Sequence, residues 1–265
     1  MFIKITFVCF LSTLFLFFTN TSAIHNTSFA PTCLTQRCTN GPNISYPFWL
    51  SNADQLCGYH ELGLLCSGGT ATFSHIGLYY TVRDIDYENH TLKLLDPDTF
   101  NQTCPKAKHG VPIGNLPLTH SPSNLNLSFY YNCSSYPSGV PSIQCLSSGA
   151  NKSFVFVTGN ETTGFDWSGN CEEKIVVTVM KDAITSDGDL INQFPSAMDG
   201  GFVLEWHTAS YCAQCEASDG ICGYSNPEKQ VLCFCKDGST KNTTCYGMLV
   251  SKRWNQLNNN PCSDN

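Results

Sequence analysis

Positive charge is scarce in this chain: 14 Lys and Arg stand against 21 Asp and Glu in 265 residues, a formal net charge of −7. Phosphate binding needs a concentrated basic surface, so nucleic acid is excluded as a partner. Catalytic signatures are missing as well. There is no glycine-rich nucleotide loop, no His-Arg-Asp and no Asp-Phe-Gly, which removes phosphoryl transfer. The 7 histidines are scattered, with no His-Glu-x-x-His, and no Gly-x-Ser-x-Gly occurs, so metalloprotease and esterase chemistry lack their geometry. No acid and base stand paired at motif spacing, and the expectation is a non-enzymatic chain with neither cofactor nor metal. After residue 23, no apolar run approaches the roughly twenty residues of a membrane-spanning helix.

What is present points outside the cell. Met1 to Ala23 carries one lysine, Lys4, then an apolar stretch from Phe7 to Phe18, and closes on Thr21-Ser22-Ala23. This is the pattern of a cleaved secretory signal, and Cys9 leaves with it. Removing Lys4 brings the net charge to −8. The deficit is uneven: residues 24–133 carry about −2 and residues 134–265 about −6. A polyanion would therefore have to meet the first half.

Of 16 cysteines in all, every one but Cys9 survives cleavage in a chain routed to an oxidising compartment, so a disulfide framework is expected. Sequons of the Asn-x-Ser/Thr type at Asn26, Asn43, Asn89, Asn101, Asn126, Asn132, Asn151, Asn160 and Asn242 agree with export and mark exposed backbone. At Asn132 the middle position is Cys133, where early disulfide formation competes with glycan transfer.

The cysteines divide the chain in two. The first module, 24–133, holds Cys33, Cys38, Cys57, Cys66, Cys104 and Cys133, a set that can pair within itself in fifteen ways. Around its Tyr46-Pro47-Phe48-Trp49 cluster the chain alternates in β fashion. Tyr80, Val82 and Asp84 lead through Glu88-Asn89-His90 to Thr91–Leu95, which predicts a hairpin, and Leu125 to Tyr131 predicts a last strand.

The second module, 134–245, holds the even set Cys145, Cys171, Cys212, Cys215, Cys222, Cys233, Cys235 and Cys245. Phe154–Val157 and Lys174–Val179 are its strongest strand signals. A short helix is expected over Asp187–Met198, entered at Ser186 or Asp187, interrupted by Pro195 and stopped at Gly200-Gly201. The fold class is thus mostly β, small and disulfide-rich, as two consecutive cysteine-stapled modules with short strands and long loops, followed by a tail over 246–265. Cys212-x-x-Cys215 reads as structural disulfide chemistry, since redox activity would need a βαβ setting and zinc would need reduced thiolates.

Several of these motifs carry a resemblance. Cys33-x4-Cys38, Tyr46-Pro47-Phe48, Cys57-Gly58 running to Cys66, and Val82-Arg83-Asp84-Ile85-Asp86-Tyr87-Glu88-Asn89-His90-Thr91 resemble the galacturonan-binding domain of plant wall-associated and leaf-rust-resistance receptor-like kinases. His60 and Leu62 depart from the proline and phenylalanine usual near those places. Gly201-Phe202-Val203-Leu204-Glu205-Trp206, Cys212-x-x-Cys215, Cys222-Gly223 and Cys233-x-Cys235-x-Asp237-Gly238 resemble the C-terminal module of the same receptors. The resemblance implies an extracellular chain at the cell wall or plasma-membrane exterior. Its partners would be pectin or galacturonan, with other receptor ectodomains as a further class.

A carboxylate on every sugar calls for cations, and sugar faces call for aromatic platforms. Arg37, Arg83 and Lys93 are the candidate cations, and Tyr46 and Trp49 the candidate platforms. The same rings are also what a small module has available to bury, and Arg83 and Lys93 also read as ordinary solvated strand charges. Calcium bridging through Asp84, Asp86 and Glu88 is disfavoured, because adjacent strand residues face opposite ways. The competing functional class is a protein or peptide ligand without glycan. Cys262 is left over, and the ending admits two expectations: a kinase-less relative that competes with full receptors, or a receptor whose further segments lie beyond Asn265.

Overall fold

The computed structural model describes residues 33–51 and 55–246. The signal segment, the Asn26 sequon and Cys262 lie outside the described residues. The strands are, in order, β1 (Gln36–Arg37), β2 (Asn43–Ile44), β3 (Trp49–Leu50), β4 (Gln55–Cys57), β5 (Gly63–Ser67), β6 (Thr70–His75), β7 (Leu78–Asp86) and β8 (Thr91–Leu95). They continue with β9 (Leu118–His120), β10 (Asn124–Cys133), β11 (Lys152–Val157), β12 (Glu173–Met180), β13 (Phe202–Trp206), β14 (Ile221–Ser225), β15 (Gln230–Phe234) and β16 (Thr240–Lys241). Helices are short: α1 (Trp167–Asn170), α2 (Leu190–Gly200) and α3 (Ala213–Ala217). The mostly β, disulfide-rich class expected from composition is what the chain adopts.

The largest sheet runs β3-β5-β6-β7-β8-β13-β9. Its predicted hairpin is present: β7 and β8 pair antiparallel, and Asp86 closes the turn by accepting hydrogen bonds from the Glu88 and Asn89 amides, both at 3.0 Å. Alternation along these strands sends Leu64, Phe73, Tyr80, Val82, Leu92, Leu94 and Leu204 into one core with Phe48 and Trp206. Cys212, Cys215, Cys222, Cys233 and Cys235 join the same core, so the C-terminal cysteine cluster lies over the face of the first sheet.

A second sheet, β11-β10-β12, is covered on both sides. Leu127, Phe129 and Tyr131 of β10 meet Leu190, Phe194, Ala197 and Met198 of α2, while Tyr130 packs with Phe154 and Trp167 on the opposite face. Burial on two sides explains why this strand reads as a nearly unbroken apolar run. The helix begins after a turn in which the Ser186 side chain accepts from the Gly188 amide. Pro195 does not interrupt it, contrary to the expectation; the packing of Phe194, Ala197 and Met198 holds the helix across the lost hydrogen bond. Gly201 ends it at φ +73°, and a Cβ there would stand 2.1 Å from the Leu94 carbonyl oxygen.

The disulfides are Cys33–Cys57, Cys38–Cys66, Cys104–Cys145, Cys133–Cys171, Cys212–Cys222, Cys215–Cys233 and Cys235–Cys245. The expectation that six cysteines close within residues 24–133 is corrected: Cys104 and Cys133 bond to Cys145 and Cys171. The reason is tertiary, because β10 is the central strand of the second sheet and delivers Cys133 there. Strand pairing crosses residue 133 as well, with β13 inserted between β8 and β9, and β14 paired with β4. The two modules follow one another in sequence and are interleaved in space.

Candidate functional site

Two of the candidate cations, Arg83 and Lys93, lie on β7 and β8 of the large sheet, and Arg37 lies on β1 of a separate two-stranded sheet. A row of residues in register, Leu65, Thr72, Thr81 and Leu95, crosses four strands on the side opposite the core. Over this face lies a groove of about 360 Å³ lined by Asn40, Gly41, Thr70, Thr81, Val82, Arg83, Leu95, Pro97 and Phe100. Arg83 owes its position to a break in the ladder: Val82 opposes Leu94 and Asp84 opposes Lys93, which leaves Arg83 as the extra residue of a β-bulge. Such an insertion releases the side chain from the regular alternation and re-aims it. Arg83 is exposed and has no ion pair among the described residues.

Arg37 is not among the lining residues and touches the groove's rim only through the backbone. Its Nε donates to the carbonyl of Gly41, a lining residue, at 2.9 Å. Lys93 faces Asp84 across the ladder and is half-buried beside Val203, one row away from the groove. Phe100, 49% exposed, supplies an aromatic wall that the sequence reading did not include. Its signal was a lone phenylalanine after the Asp96-Pro97-Asp98 turn, which orders it through amide bonds back to the Asp96 carbonyl.

Tyr46 and Trp49 lie elsewhere. Trp49 donates from Nε1 to the Tyr59 carbonyl at 2.8 Å, and its ring covers Gly58 and Gly63, where any Cβ would overlap it. Tyr46 belongs to a second cleft, of about 340 Å³, lined by Tyr46, Pro47, Tyr59, Tyr87, His90, Trp206, His207, Thr208 and Glu216. Here the hydroxyls of Tyr46 and Tyr59 both donate to Oε1 of Glu216, the latter at 2.6 Å, and Thr208 donates to Oε2 at 3.0 Å. Burial and then the bond to the carboxylate push the Tyr59 hydroxyl up to about 12 and raise that of Tyr46 further, so both remain neutral donors. Glu216 sits on α3, within the second module, and the two tyrosines in the first. The structure thus separates the arginines from the tyrosine and tryptophan.

Other predicted positions find plain roles. His60, the departure from the usual proline, stacks on Tyr224 with ring centroids 4.2 Å apart, and its amide donates to the Tyr211 hydroxyl. Asp86 is committed to its turn, with Asn89 bonded through both amide and side chain, and those bonds hold its carboxyl below the ordinary range. Asn43, Asn89, Asn101, Asn126, Asn160 and Asn242 are exposed, whereas Asn132 and Asn151 are half-buried.

A β fold stapled by seven disulfides among the described residues, with a groove at Arg83 and a separate aromatic cleft, is the architecture of a disulfide-held extracellular domain. Comparison with known families agrees. Residues 33–96 match the family described as wall-associated receptor kinase galacturonan-binding, and residues 144–238 match wall-associated receptor kinase C-terminal. The chain thus carries both domains of a wall-associated receptor ectodomain, in that order.

The chain is 26% identical over 231 residues to the leaf rust 10 disease-resistance locus receptor-like protein kinase-like 1.2 of Arabidopsis thaliana, covering 83% of this chain and 35% of that protein. Against the like 2.1 protein of the same organism it is 27% identical over 226 residues, covering 79% and 34%. A RING-H2 finger protein, ATL21A, also of Arabidopsis thaliana, is 27% identical over 214 residues, covering 76% and 54%. The chain spans about a third of the length of the receptor-like kinases, and neither matched domain is the kinase in their names. No solved structure matches. Among the described residues no helix is long and apolar enough to cross a membrane.

Proposed function

We propose that the groove of Arg83 and Phe100, with Arg37 bonded to the Gly41 carbonyl at its rim, binds acidic pectin fragments, de-esterified galacturonan, as the ligand-recognising exterior of a wall-associated receptor. The observation that carries this reading is the bulged Arg83, whose guanidinium has no acidic partner among the described residues and lines an open groove. Guanidinium matches the two oxygens of a uronate carboxylate, and Phe100 offers a face for the sugar ring. The matched domain is named for galacturonan, and the first half of the chain is the less acidic one.

Binding of this kind is weak and salt-sensitive. Titration calorimetry of residues 24–265 with galacturonan oligomers at low and moderate salt tests it. Arg37→Glu with Arg83→Glu is expected to abolish the heat, and Arg83→Ala alone to weaken binding about tenfold. Absence of heat from the unaltered chain in both buffers would retire the reading. A second reading, a protein or peptide ligand without glycan, is favoured by the anionic cleft at Glu216, from which a polyuronate would be repelled.

A further inference from the structure

The cleft at Glu216 has the composition of a receptor for positive charge. Its carboxylate accepts three hydrogen bonds, all from neutral hydroxyls, and no cation lies within ion-pair distance of it among the described residues. The tyrosines stay neutral donors, and among the described residues no Lys or Arg pairs with the Glu216 carboxylate. The cleft's walls are rings set at steep angles to each other: Tyr46 to Tyr59 at 80° with centroids 5.6 Å apart, and Tyr87 to Trp206 at 67° and 5.8 Å. The faces of such rings attract cations, and the attraction grows as water is excluded. A volume of about 340 Å³ accommodates one long side chain.

We propose that this cleft is a docking recess for a lysine or arginine side chain presented by a protein partner, separate from the cationic groove. The two sites share no lining residue, and they select opposite charge. The net charge of −7 favours approach of a basic partner. His90 and His207 also line the cleft. A sugar acid would meet repulsion in this cleft, and a neutral apolar group would leave the last acceptor site of Glu216 unused.

The test uses the secreted chain with tryptophan indoles labelled for NMR, titrated with acetyl-Gly-Lys-Gly-amide and with the same peptide carrying Nε-acetyl-lysine, at matched ionic strength. The expected result is a saturable shift of the Trp206 indole by the lysine peptide, about fivefold or more weaker for the acetylated one. Glu216→Gln is expected to reduce the response. Since that change also touches the bonds to Tyr46 and Tyr59, a second variant keeps the carboxylate: Thr208→Lys places an ammonium at the exposed lip and is expected to block the peptide while the chain stays folded. Equal shifts with both peptides, no shift at Trp206, or a response untouched by Thr208→Lys would each overturn the proposal. Loss of galacturonan binding with the Trp206 response intact would bear on the groove alone.

Discussion

Glu216 shows how one side chain holds two distant segments. Removing it as Glu216→Ala leaves the part-buried hydroxyls of Tyr46 and Tyr59 without their acceptor, and the expected loss is about 1–2 kcal/mol in denaturant unfolding, with an unchanged slope. Asp96 gives the opposite sign. Burial raises its carboxyl above the ordinary value, with His109 and Lys108 opposing, so ionising it works against the folded state. For an acid raised on folding, the penalty is absent below the unfolded value and complete above the folded one. Asp96→Asn retains an acceptor for the Asp98 amide and is therefore expected to melt higher than the unaltered chain at pH 7, with the gap closing as pH falls through the carboxylate range. An equal gap at pH 3 and pH 7 would contradict this account. At this scale Arg37 and Arg83 were nominated by the sequence as cations of an acidic chain. Phe100 was not, because nothing local to it shows that a groove forms beside it.

Single elements were the most readable level. Strands β7, β8, β10, β11 and β12 stand where alternation and β-branched residues place them, whereas α2 runs through Pro195, where an interruption was expected. What periodicity could not convey was the bulge at Arg83, which depends on how two strands pair rather than on either one. Glycines at close approaches make the elements' packing testable. Gly201→Ala combines an unfavourable φ of +73° with a Cβ 2.1 Å from the Leu94 carbonyl oxygen, and is expected to cost more than about 2 kcal/mol in thermal or denaturant unfolding. At Gly220 a Cβ would meet the sulfurs of Cys233, Cys215 and Cys245 at 2.5, 2.7 and 2.8 Å. Gly220→Ala should therefore yield secreted material with mispaired disulfides, visible as altered cystine peptides by mass spectrometry; native peptides in normal yield would show that the sulfurs can give way.

Over the whole molecule, interleaving is the governing property. The large sheet takes β13 from beyond residue 200, the C-terminal sheet takes β4 from before residue 60, and two disulfides join Cys104 and Cys133 to Cys145 and Cys171. A fragment ending at residue 133 would lose the strand that seats β9 and leave two thiols unpaired. It is expected to be secreted poorly and to alkylate at Cys104 and Cys133, whereas the complete chain yields both cross-linked peptides; a stable fragment with Cys104 bonded to Cys133 would refute the interleaving. The number and kind of cysteines and the alternation of the strands were enough to point to a disulfide-held β protein, because each depends on composition or on neighbours close along the chain. Which cysteines meet, which strands share a sheet, and which aromatic stands beside which charge were decided only by tertiary structure. Those are contacts between segments far apart in sequence, and no local period encodes them.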